Sequence, residues 1–272
     1  MTVLPADFFT GAMPTAVSDG PSDPGRIALV WAGPGAADLL TLRALRHLQE
    51  AQVVFYDRLV DPAVLAFCPD AERIYVGKEV GQHAWPQPRI DAAIVAAALQ
   101  GRRVVRLKSG DPGIFGRATE ELAAARAHGI AVEIVPGVSA ACAAGAALGR
   151  SLTERGVTDR VTFATATCRA GDTPPDWAEL ARPGTTLALY MAVAKVGEIA
   201  RDLLAAGLSP DTGVEIVASA STPAERVLRT DLAQMAGAIA AAGLRNPAIL
   251  LIRCAKTAGQ QADSAARAMV PA

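Results

Sequence analysis

The 272-residue chain has little cysteine, few aromatic residues and almost no net charge. Its four cysteines, Cys68, Cys142, Cys168 and Cys254, lie far apart and form no CxxC pair. The sequence therefore favours buried thiols over a disulfide framework, and we predict no metal site. Aromatic residues make up only 4% of the chain, while Ala, Val and Leu dominate. This composition favours helices packed on buried strands over an aromatic-rich β-sandwich.

Long apolar runs and clusters of basic residues are also missing. No stretch of 18 apolar residues is present, and the first 25 residues contain no basic segment followed by an apolar one. We therefore expect a cytoplasmic protein without a signal peptide and without a membrane partner. The net charge is −1 with no basic block, so a surface that coats nucleic acid is excluded as well.

The chain does contain enough apolar material for a large core, with 51% hydrophobic and 19% charged residues. Short apolar or β-branched runs alternate with helical patterns in its first half. Strands are predicted at 27–32, 53–56, 73–76, 103–107 and 131–135. Helices are predicted at 39–50, 62–67, 90–99 and 119–128. Near-continuous apolar strands that alternate with helices indicate a mainly parallel sheet covered on both faces.

The dipeptide Pro136-Gly137 interrupts this pattern, and the second half looks mixed rather than purely parallel. Helices are predicted there at 139–147 and 194–206, and strands at 161–165, 185–191, 214–218, 225–230 and 248–252. The fold class is therefore α/β, with two α/β domains. The predicted organisation is a flexible segment at 1–25, an N-terminal domain at 26–136, a C-terminal domain at 137–256 and a tail at 257–272.

Four segments at predicted strand ends contain candidate catalytic or binding residues, and each segment also has a purely structural explanation. Gly33-Pro34-Gly35 has the start of a GxGxxG dinucleotide motif, but Asp38 occupies the position of the third glycine and Pro34 lacks an N–H for a phosphate. A nicotinamide-dependent oxidoreductase is therefore disfavoured, and a tight turn capped by Asp38 is the alternative.

The other three segments contain charged residues. Asp57, in Tyr56-Asp57-Arg58-Leu59-Val60, suits a general base, although a helix cap or an Asp–Arg pair is the commoner explanation. Lys78, after Val76-Gly77, suits a carboxylate ligand or a solvated surface position. The glycine-rich segment 108–117 suits close backbone approach to a ligand, while Arg117 and Glu121 could pair along a helix.

Taken together, the order GPG, YDRLV, GK and SGDPGIFGR resembles the tetrapyrrole methylase family. Within it, the YDRLV segment and its spacing to GK are similar to the C-methyltransferases that act on uroporphyrinogen III. The resemblance continues through Val135–Ala140, Leu152-Thr153, Tyr190-Met191, Ser221–Pro223 and Asn246–Ala248, and it covers residues 27–255.

The resemblance implies a cofactor cleft between the two domains and a homodimer. Its expected ligand is S-adenosylmethionine, with S-adenosylhomocysteine as product. The implied cofactor contacts are Pro34, Ser109, Gly110, Asp111, Ile114, Ser139, Ala140, Met191 and Ala220. Asp57 matches the family's proposed base and Lys78 its proposed acid partner. Arg117, Glu120 and Arg155 match positions associated with the carboxylate-bearing tetrapyrrole substrate.

The implied reaction is transfer of two methyl groups to ring carbons of uroporphyrinogen III, giving precorrin-2 for cobalamin, sirohaem or haem d1 synthesis. The sequence departs from the family pattern at Ser109-Gly110, Ala118-Thr119, Glu154, Thr165-Ala166-Thr167 and Ala220. The SGDPG segment favours a methyltransferase that acts on a later corrin precursor. The missing histidine in Thr165-Ala166-Thr167 favours a non-catalytic tetrapyrrole-binding homologue. Both alternatives stay open from the sequence.

Overall fold

The computed structural model describes residues 25–77, 85–111, 113–167, 171 and 173–256. The predicted segment 1–25, except for Gly25, and the predicted tail 257–272 lie outside the described residues. Within the described residues, no helix is both long enough and apolar enough to cross a membrane.

The first half folds into a five-stranded parallel sheet. Its strands are β1 (Ile27–Trp31), β2 (Val53–Tyr56), β3 (Glu72–Tyr75), β4 (Val104–Lys108) and β5 (Val132–Val135), in the order β3-β2-β4-β1-β5. The helices are α1 (Leu42–Glu50), α2 (Pro62–Leu65), α3 (Gln87–Leu99) and α4 (Ala118–Ala127). The predicted parallel arrangement is confirmed by the pairing of every neighbouring strand.

Alternate residues of β1 explain why this sheet needs helices on both faces. Ile27 and Leu29 belong to one apolar cluster, which also contains Ile94 of α3. Ala28 belongs to a second cluster, which also contains Leu48 of α1. Because successive side chains of a strand point to opposite faces, a continuous apolar run must be covered twice.

Side-chain caps explain where α1 and α2 begin. The Asp61 side chain accepts a hydrogen bond from the backbone N–H of Ala63, and Pro62 follows in the first turn, as the sequence predicts. The helix predicted from residue 39 instead begins at Leu42, with Thr41 as its N-cap. Residues Ala37–Leu39 form a separate 3-10 turn, and no side chain caps it, so the expected role of Asp38 as a cap is wrong.

The second half forms a five-stranded mixed sheet. Its strands are β6 (Arg160–Thr165), β7 (Thr185–Tyr190), β8 (Gly213–Ala218), β9 (Arg226–Asp231) and β10 (Ala248–Cys254), in the order β6-β7-β10-β8-β9. Only the β6–β7 pair is parallel. The helices are α5 (Ala140–Ala147), α6 (Trp177–Leu180), α7 (Val196–Ala205) and α8 (Met235–Ala241). The mixed sheet and the hairpin strand β9 are as predicted, whereas α6 and α8 were not predicted.

The two sheets are consecutive in the chain, and the predicted domain boundary at Pro136-Gly137 directly follows β5. Helix α5 contacts β8 and β10, so it packs on the second sheet. A division into domains at this point stays a prediction.

Candidate functional site

A cleft of about 460 Å³ lies where loops that follow strands of both sheets meet. The carboxyl ends of β1 and β4 lie side by side because these strands are hydrogen-bonded neighbours in a parallel sheet. Open α/β sheets bind ligands at this edge. The lining residues are Pro34, Arg58, Leu59, Ser109, Gly110, Asp111, Ile114, Phe115, Gly116, Ala140, Tyr190, Met191, Val217, Ser219, Ala220, Thr222, Asn246, Pro247, Ala248 and Ile249.

Backbone contacts tie the glycine-rich loops of the first sheet together. The N–H of Gly110 donates to the carbonyl oxygen of Gly33 at 2.7 Å, and the two residues form an isolated antiparallel bridge. Gly33 has φ +71°, a left-handed conformation that glycine adopts without a Cβ penalty. The loops after β1 and β4 therefore form one continuous wall of the cleft.

The first wall also touches the second sheet's loop directly. A Cβ on Gly35 would lie 2.5 Å from the Cγ2 of Thr222 and 2.9 Å from the carbonyl oxygen of Ala220. Only a residue without a side chain allows this approach. Both Pro34 and Ala220 line the cleft, so the contact at Gly35 sets how closely its two walls meet.

Strained backbone is concentrated around the cleft. Within the described ranges, the non-glycine residues with positive φ are Phe115, Arg117, Met191, Ser219 and Ser221, with φ between 50° and 62°. Three of them line the cleft and the other two adjoin lining residues. Such conformations cost about 1–3 kcal/mol each and persist where the surrounding structure imposes them, often at functional sites. The sequence carries no signal for this property.

Tyr190 and Phe115 join the two halves across the cleft. Phe115 precedes α4, Tyr190 ends β7, and their ring centroids are 5.2 Å apart. The Tyr190 hydroxyl accepts a hydrogen bond from the N–H of Ala141 at 3.2 Å. Burial raises the pKa of Tyr190, so this hydroxyl stays protonated at neutral pH.

Eight of the nine predicted cofactor contacts line this single cleft; the exception is Ser139. Ser139 is the N-cap of α5, and its Oγ accepts a hydrogen bond from the N–H of Cys142 at 3.2 Å. Asp111 accepts a hydrogen bond from the N–H of Gly113 at 3.0 Å. Partial burial raises the pKa of the Asp111 carboxyl, and this hydrogen bond opposes the rise.

Asp57 directly precedes Arg58 and Leu59 of the cleft wall. Its Oδ1 accepts a hydrogen bond from the N–H of Leu59 at 3.1 Å. Its Oδ2 lies 3.3 Å from Nη2 of Arg106, so the ion pair is with a residue of β4 and not with the adjacent Arg58. Lys78, the other predicted catalytic residue, lies outside the described residues.

The predicted substrate-binding residues are more dispersed. Arg117 is exposed directly before α4, and Glu120 is half-buried in the first turn of that helix. Arg155 is exposed in a turn closed by Glu154 and Thr158, and it is not among the lining residues. The structure therefore places Arg117 next to the cleft and Arg155 outside it.

The pairing of Arg117 with Glu121 is wrong, because Glu121 bonds two cations of β4 instead. Glu121 is 3% exposed, and its carboxylate lies 3.1 Å from Nε of Arg106 and 2.7 Å from Nζ of Lys108. Arg106 is a site residue that was not predicted from the sequence. The available signal was a pair of charged residues, Arg106 and Lys108, at the end of an apolar run, since charged side chains are seldom buried without partners.

The fold and cleft define an α/β protein with two sheets and a cleft of small-molecule size between them. The family model of tetrapyrrole (corrin/porphyrin) methylases matches residues 26–236. The chain therefore belongs to the tetrapyrrole methylase family.

Named relatives agree with this membership. The chain is 45% identical to a uroporphyrinogen-III C-methyltransferase of Pseudomonas aeruginosa, over 84% of this chain and 93% of the relative. It is also 42% identical to a sirohaem synthase of Stutzerimonas stutzeri, over 92% of this chain but only 52% of the relative. The chain thus spans about half the length of the curated sirohaem synthases that it matches.

Solved structures share the fold. A uroporphyrin-III C-methyltransferase of Thermus thermophilus, crystallised with S-adenosylhomocysteine, is 39% identical with a TM-score of 0.72, over 84% of this chain and 92% of that one. A cobalt-precorrin-4 methyltransferase is 31% identical with a TM-score of 0.76, over 84% of this chain and 94% of that one. These likenesses confirm the predicted two-domain α/β class with a cleft between the domains.

Proposed function

We propose that this chain transfers methyl groups from S-adenosylmethionine to two ring carbons of uroporphyrinogen III, giving precorrin-2. One observation carries the proposal. Segments after β1, β2, β4 and β7, which match the family's cofactor and base positions, meet at one cleft between the sheets. The similarity to the Pseudomonas aeruginosa C-methyltransferase extends over nearly the whole of that relative.

The cleft suits an adenosyl cofactor better than a dinucleotide. Its volume falls within the roughly 300–1,000 Å³ of small-molecule sites. Among the described lining residues, Arg58 is the one cation, and Pro34 has no N–H to offer a phosphate. A pyrophosphate would find few partners here, whereas S-adenosylmethionine carries no phosphate. Pro34, Ser109–Asp111, Ile114, Ala140, Met191 and Ala220 would hold it, with Ser139 ordering the start of α5.

The cleft also presents apolar side chains to solvent. Leu59, Phe115 and Met191 are exposed by 44%, 42% and 39%, and all three line the cleft. Exposed apolar groups gathered at one site mark a binding surface. A flat tetrapyrrole would cover them, and its carboxylates would meet Arg58 and the nearby Arg117. In this proposal Glu120 bonds pyrrole nitrogens, and Arg155 contacts an outlying carboxylate.

In this proposal the protein's own residues align the cofactor with the substrate and remove a proton from the methylated ring. When bound, S-adenosylmethionine supplies a methyl group activated by a positively charged sulfur. After methylation the substrate ring is cationic and must lose a proton, and the Asp57 carboxylate would accept it. Lys78 is proposed as the acid partner. Enzyme action of this kind depends mainly on holding the reactants in line.

A second candidate substrate is a later corrin precursor. The likeness to the cobalt-precorrin-4 methyltransferase, at a TM-score of 0.76, favours it, as does Ser109 in the cleft wall. Lower identity, 31% against 45%, makes it the second choice. A homodimer and a cytoplasmic location complete the proposal, the first from the family resemblance and the second from the composition.

One assay tests these assignments. Purified chain is incubated with S-adenosylmethionine and enzymatically generated uroporphyrinogen III, and the products are followed by absorbance and mass. Gain of two methyl groups is expected. Binding of both ligands without methyl transfer would contradict the enzyme assignment and support a non-catalytic homologue. Cofactor binding with transfer only to a later corrin precursor would replace the proposed substrate.

Asp57→Asn provides the matched variant for this assay. Asparagine keeps the size of the side chain but cannot act as the base. We expect product formation to fall at least 100-fold, in line with the roughly 10²–10⁴-fold contribution of general bases, while affinity for S-adenosylhomocysteine stays within twofold. Near-normal turnover by Asp57→Asn would exclude Asp57 as the base.

A further inference from the structure

A buried charge cluster lies beneath the loop that carries Asp57. It consists of Arg106 and Lys108 of β4 and Glu121 of α4, which are 5%, 7% and 3% exposed. Nε of Arg106 and Nζ of Lys108 bond the two different oxygens of the Glu121 carboxylate, at 3.1 Å and 2.7 Å. Burial lowers the pKa of Lys108, and the charge of Glu121 opposes that shift.

The cluster contains one more positive than negative group. A buried charge without a counter-charge is strongly unfavourable, so a fourth group is needed. Asp57 supplies this counter-charge through a direct ion pair, because its Oδ2 lies 3.3 Å from Nη2 of Arg106, and its side chain is 27% exposed. The Asp57 carboxylate is therefore the partly exposed end of a set whose other three members are buried.

Arg106 has little freedom to move away from Asp57. Its Nη1 donates to the carbonyl oxygens of Leu107 at 2.8 Å and Phe55 at 3.3 Å. Its Nε is held by Glu121. Because the guanidinium is planar and rigid, these three bonds fix the direction in which Nη2 points.

Asp57 is in turn held through both of its oxygens. Oδ1 receives the N–H of Leu59, which lines the cleft, and Oδ2 receives Arg106. A carboxylate has about four acceptor positions, so each oxygen retains capacity to take a proton from a ligand. Other charged groups lie near the set: Asp91 on α3 interacts with Lys108, Glu121 and Glu120 of α4, and Arg58 follows Asp57 in the chain.

We propose that Arg106 is a positioning residue that holds the Asp57 carboxylate at the cleft, and that Glu121 and Lys108 fix Arg106 for this purpose. The inference rests on the proposed function, since Asp57 is a base only in that reaction. Asp57 directly precedes Arg58 and Leu59, which line the cleft, so the cluster reaches the site through this residue. Glu121 also ties this set to the helix that begins beside Arg117.

The test compares Arg106→Gln and Arg106→Lys, with Arg103→Gln as the control. The transfer rate is measured as single-turnover formation of the methylated ring after proton loss, because proton loss is the step that needs Asp57. Arg103 is exposed, and its side chain donates to the carbonyl oxygen of Glu50, away from Asp57 and Glu121, so Arg103→Gln should transfer at the wild-type rate. We expect Arg106→Gln to transfer at least tenfold more slowly, with affinity for S-adenosylhomocysteine within twofold of wild type. Arg106→Lys should recover part of the rate, because it restores the charge but not the planar fork.

A double-mutant cycle with Asp57→Asn separates positioning from general damage. Once Asp57 can no longer accept a proton, losing Arg106 should slow transfer by less than twofold more, since the two residues act as a unit. Equal slowing with and without Asp57→Asn would overturn the inference. So would parallel loss of cofactor affinity, or an Arg106→Lys rate no better than that of Arg106→Gln.

Failure of the proposed function and failure of the positioning role give different results. If Arg106→Gln does not fold, Arg106→Lys replaces it in the double-mutant cycle. The expected result and the result that would overturn the inference stay the same. If the wild-type chain methylates no tetrapyrrole, the proposed function fails first. If the wild type is active but the cycle is additive, only the positioning role of Arg106 fails.

Discussion

Gly35 offers a sharp test of how the two walls of the cleft meet. Replacement by alanine would place Cβ 2.5 Å from Cγ2 of Thr222 and 2.9 Å from the carbonyl oxygen of Ala220. Carbon atoms in contact prefer about 3.5–4.0 Å, so the loops must separate by about 1 Å. Overpacking of this kind costs roughly 1–3 kcal/mol.

The clash is relieved if the cleft opens, so much of this cost should appear as lost cofactor affinity. At 1.4 kcal/mol for each tenfold change, the dissociation constant for S-adenosylhomocysteine should rise about 5- to 100-fold in Gly35→Ala. Isothermal titration calorimetry measures this directly. Gly197→Ala is the control, because its Cβ would meet nothing within 4 Å and the residue lies in helix α7.

A second substitution should partly repair the first. Thr222→Ser removes Cγ2 but keeps the hydroxyl, which donates to the carbonyl oxygen of Ser219 at 2.8 Å. The contact with Ala220 remains, so Gly35→Ala with Thr222→Ser should recover part of the affinity and not all of it. A Gly35→Ala protein that binds within twofold of wild type, or a double variant no better than Gly35→Ala, would refute the reasoning.

Three further predictions concern the buried charge cluster, the proposed substrate site and the thiol of Cys254. Glu121→Gln leaves the buried Arg106 and Lys108 without their shared anion, so it should lower the free energy of unfolding by about 3–5 kcal/mol. Urea denaturation measures this loss, and a loss below about 1 kcal/mol would show that the cluster is not stabilising. Arg117→Ala should raise the KM for the tetrapyrrole about tenfold or more and leave that for the cofactor unchanged, and equal effects on both would remove Arg117 from the substrate site. Burial raises the pKa of Cys254 to about 11, so at pH 8 iodoacetamide should label it far more slowly than the exposed Cys142, as read by peptide mass mapping. Because the pKa of Cys254 in the folded protein is raised from 9.0, the stability contributed by Cys254 is present below pH 9 and lost as the pH rises towards 11. The free energy of unfolding of Cys254→Ala should therefore fall less between pH 9 and 11 than that of the wild type. An equal fall in both proteins would contradict the raised pKa of Cys254.

The sequence predicts the first sheet closely because its strands are short apolar runs between clear helical patterns. β2 at Val53–Tyr56 was predicted to the residue, and β1, β3, β4 and β5 within one residue at each end. Helix α6 was missed because it has four residues, and α8 because Met235–Ala241 contains mostly small residues with little periodicity. Short or weakly patterned helices depend on tertiary packing, which no local pattern reveals.

Charge pairing was predicted less well, for a related reason. The sequence places Arg117 and Glu121 four residues apart, and that spacing favours a pair along one helix. In the structure, Glu121 instead bonds side chains 15 and 13 residues earlier in the chain. Those partners become neighbours only when the fold brings α4 and β4 together, so the pairing cannot be read from spacing.

The most direct measurement is a crystal structure of the chain grown with S-adenosylhomocysteine. The ligand is expected between the loop of Pro34, the Ser109–Asp111 segment and Met191, in contact with residues of both halves of the chain and within reach of Asp57. Density for the ligand on another surface, or a bound form in which these loops do not contact it, would contradict the proposed cofactor site.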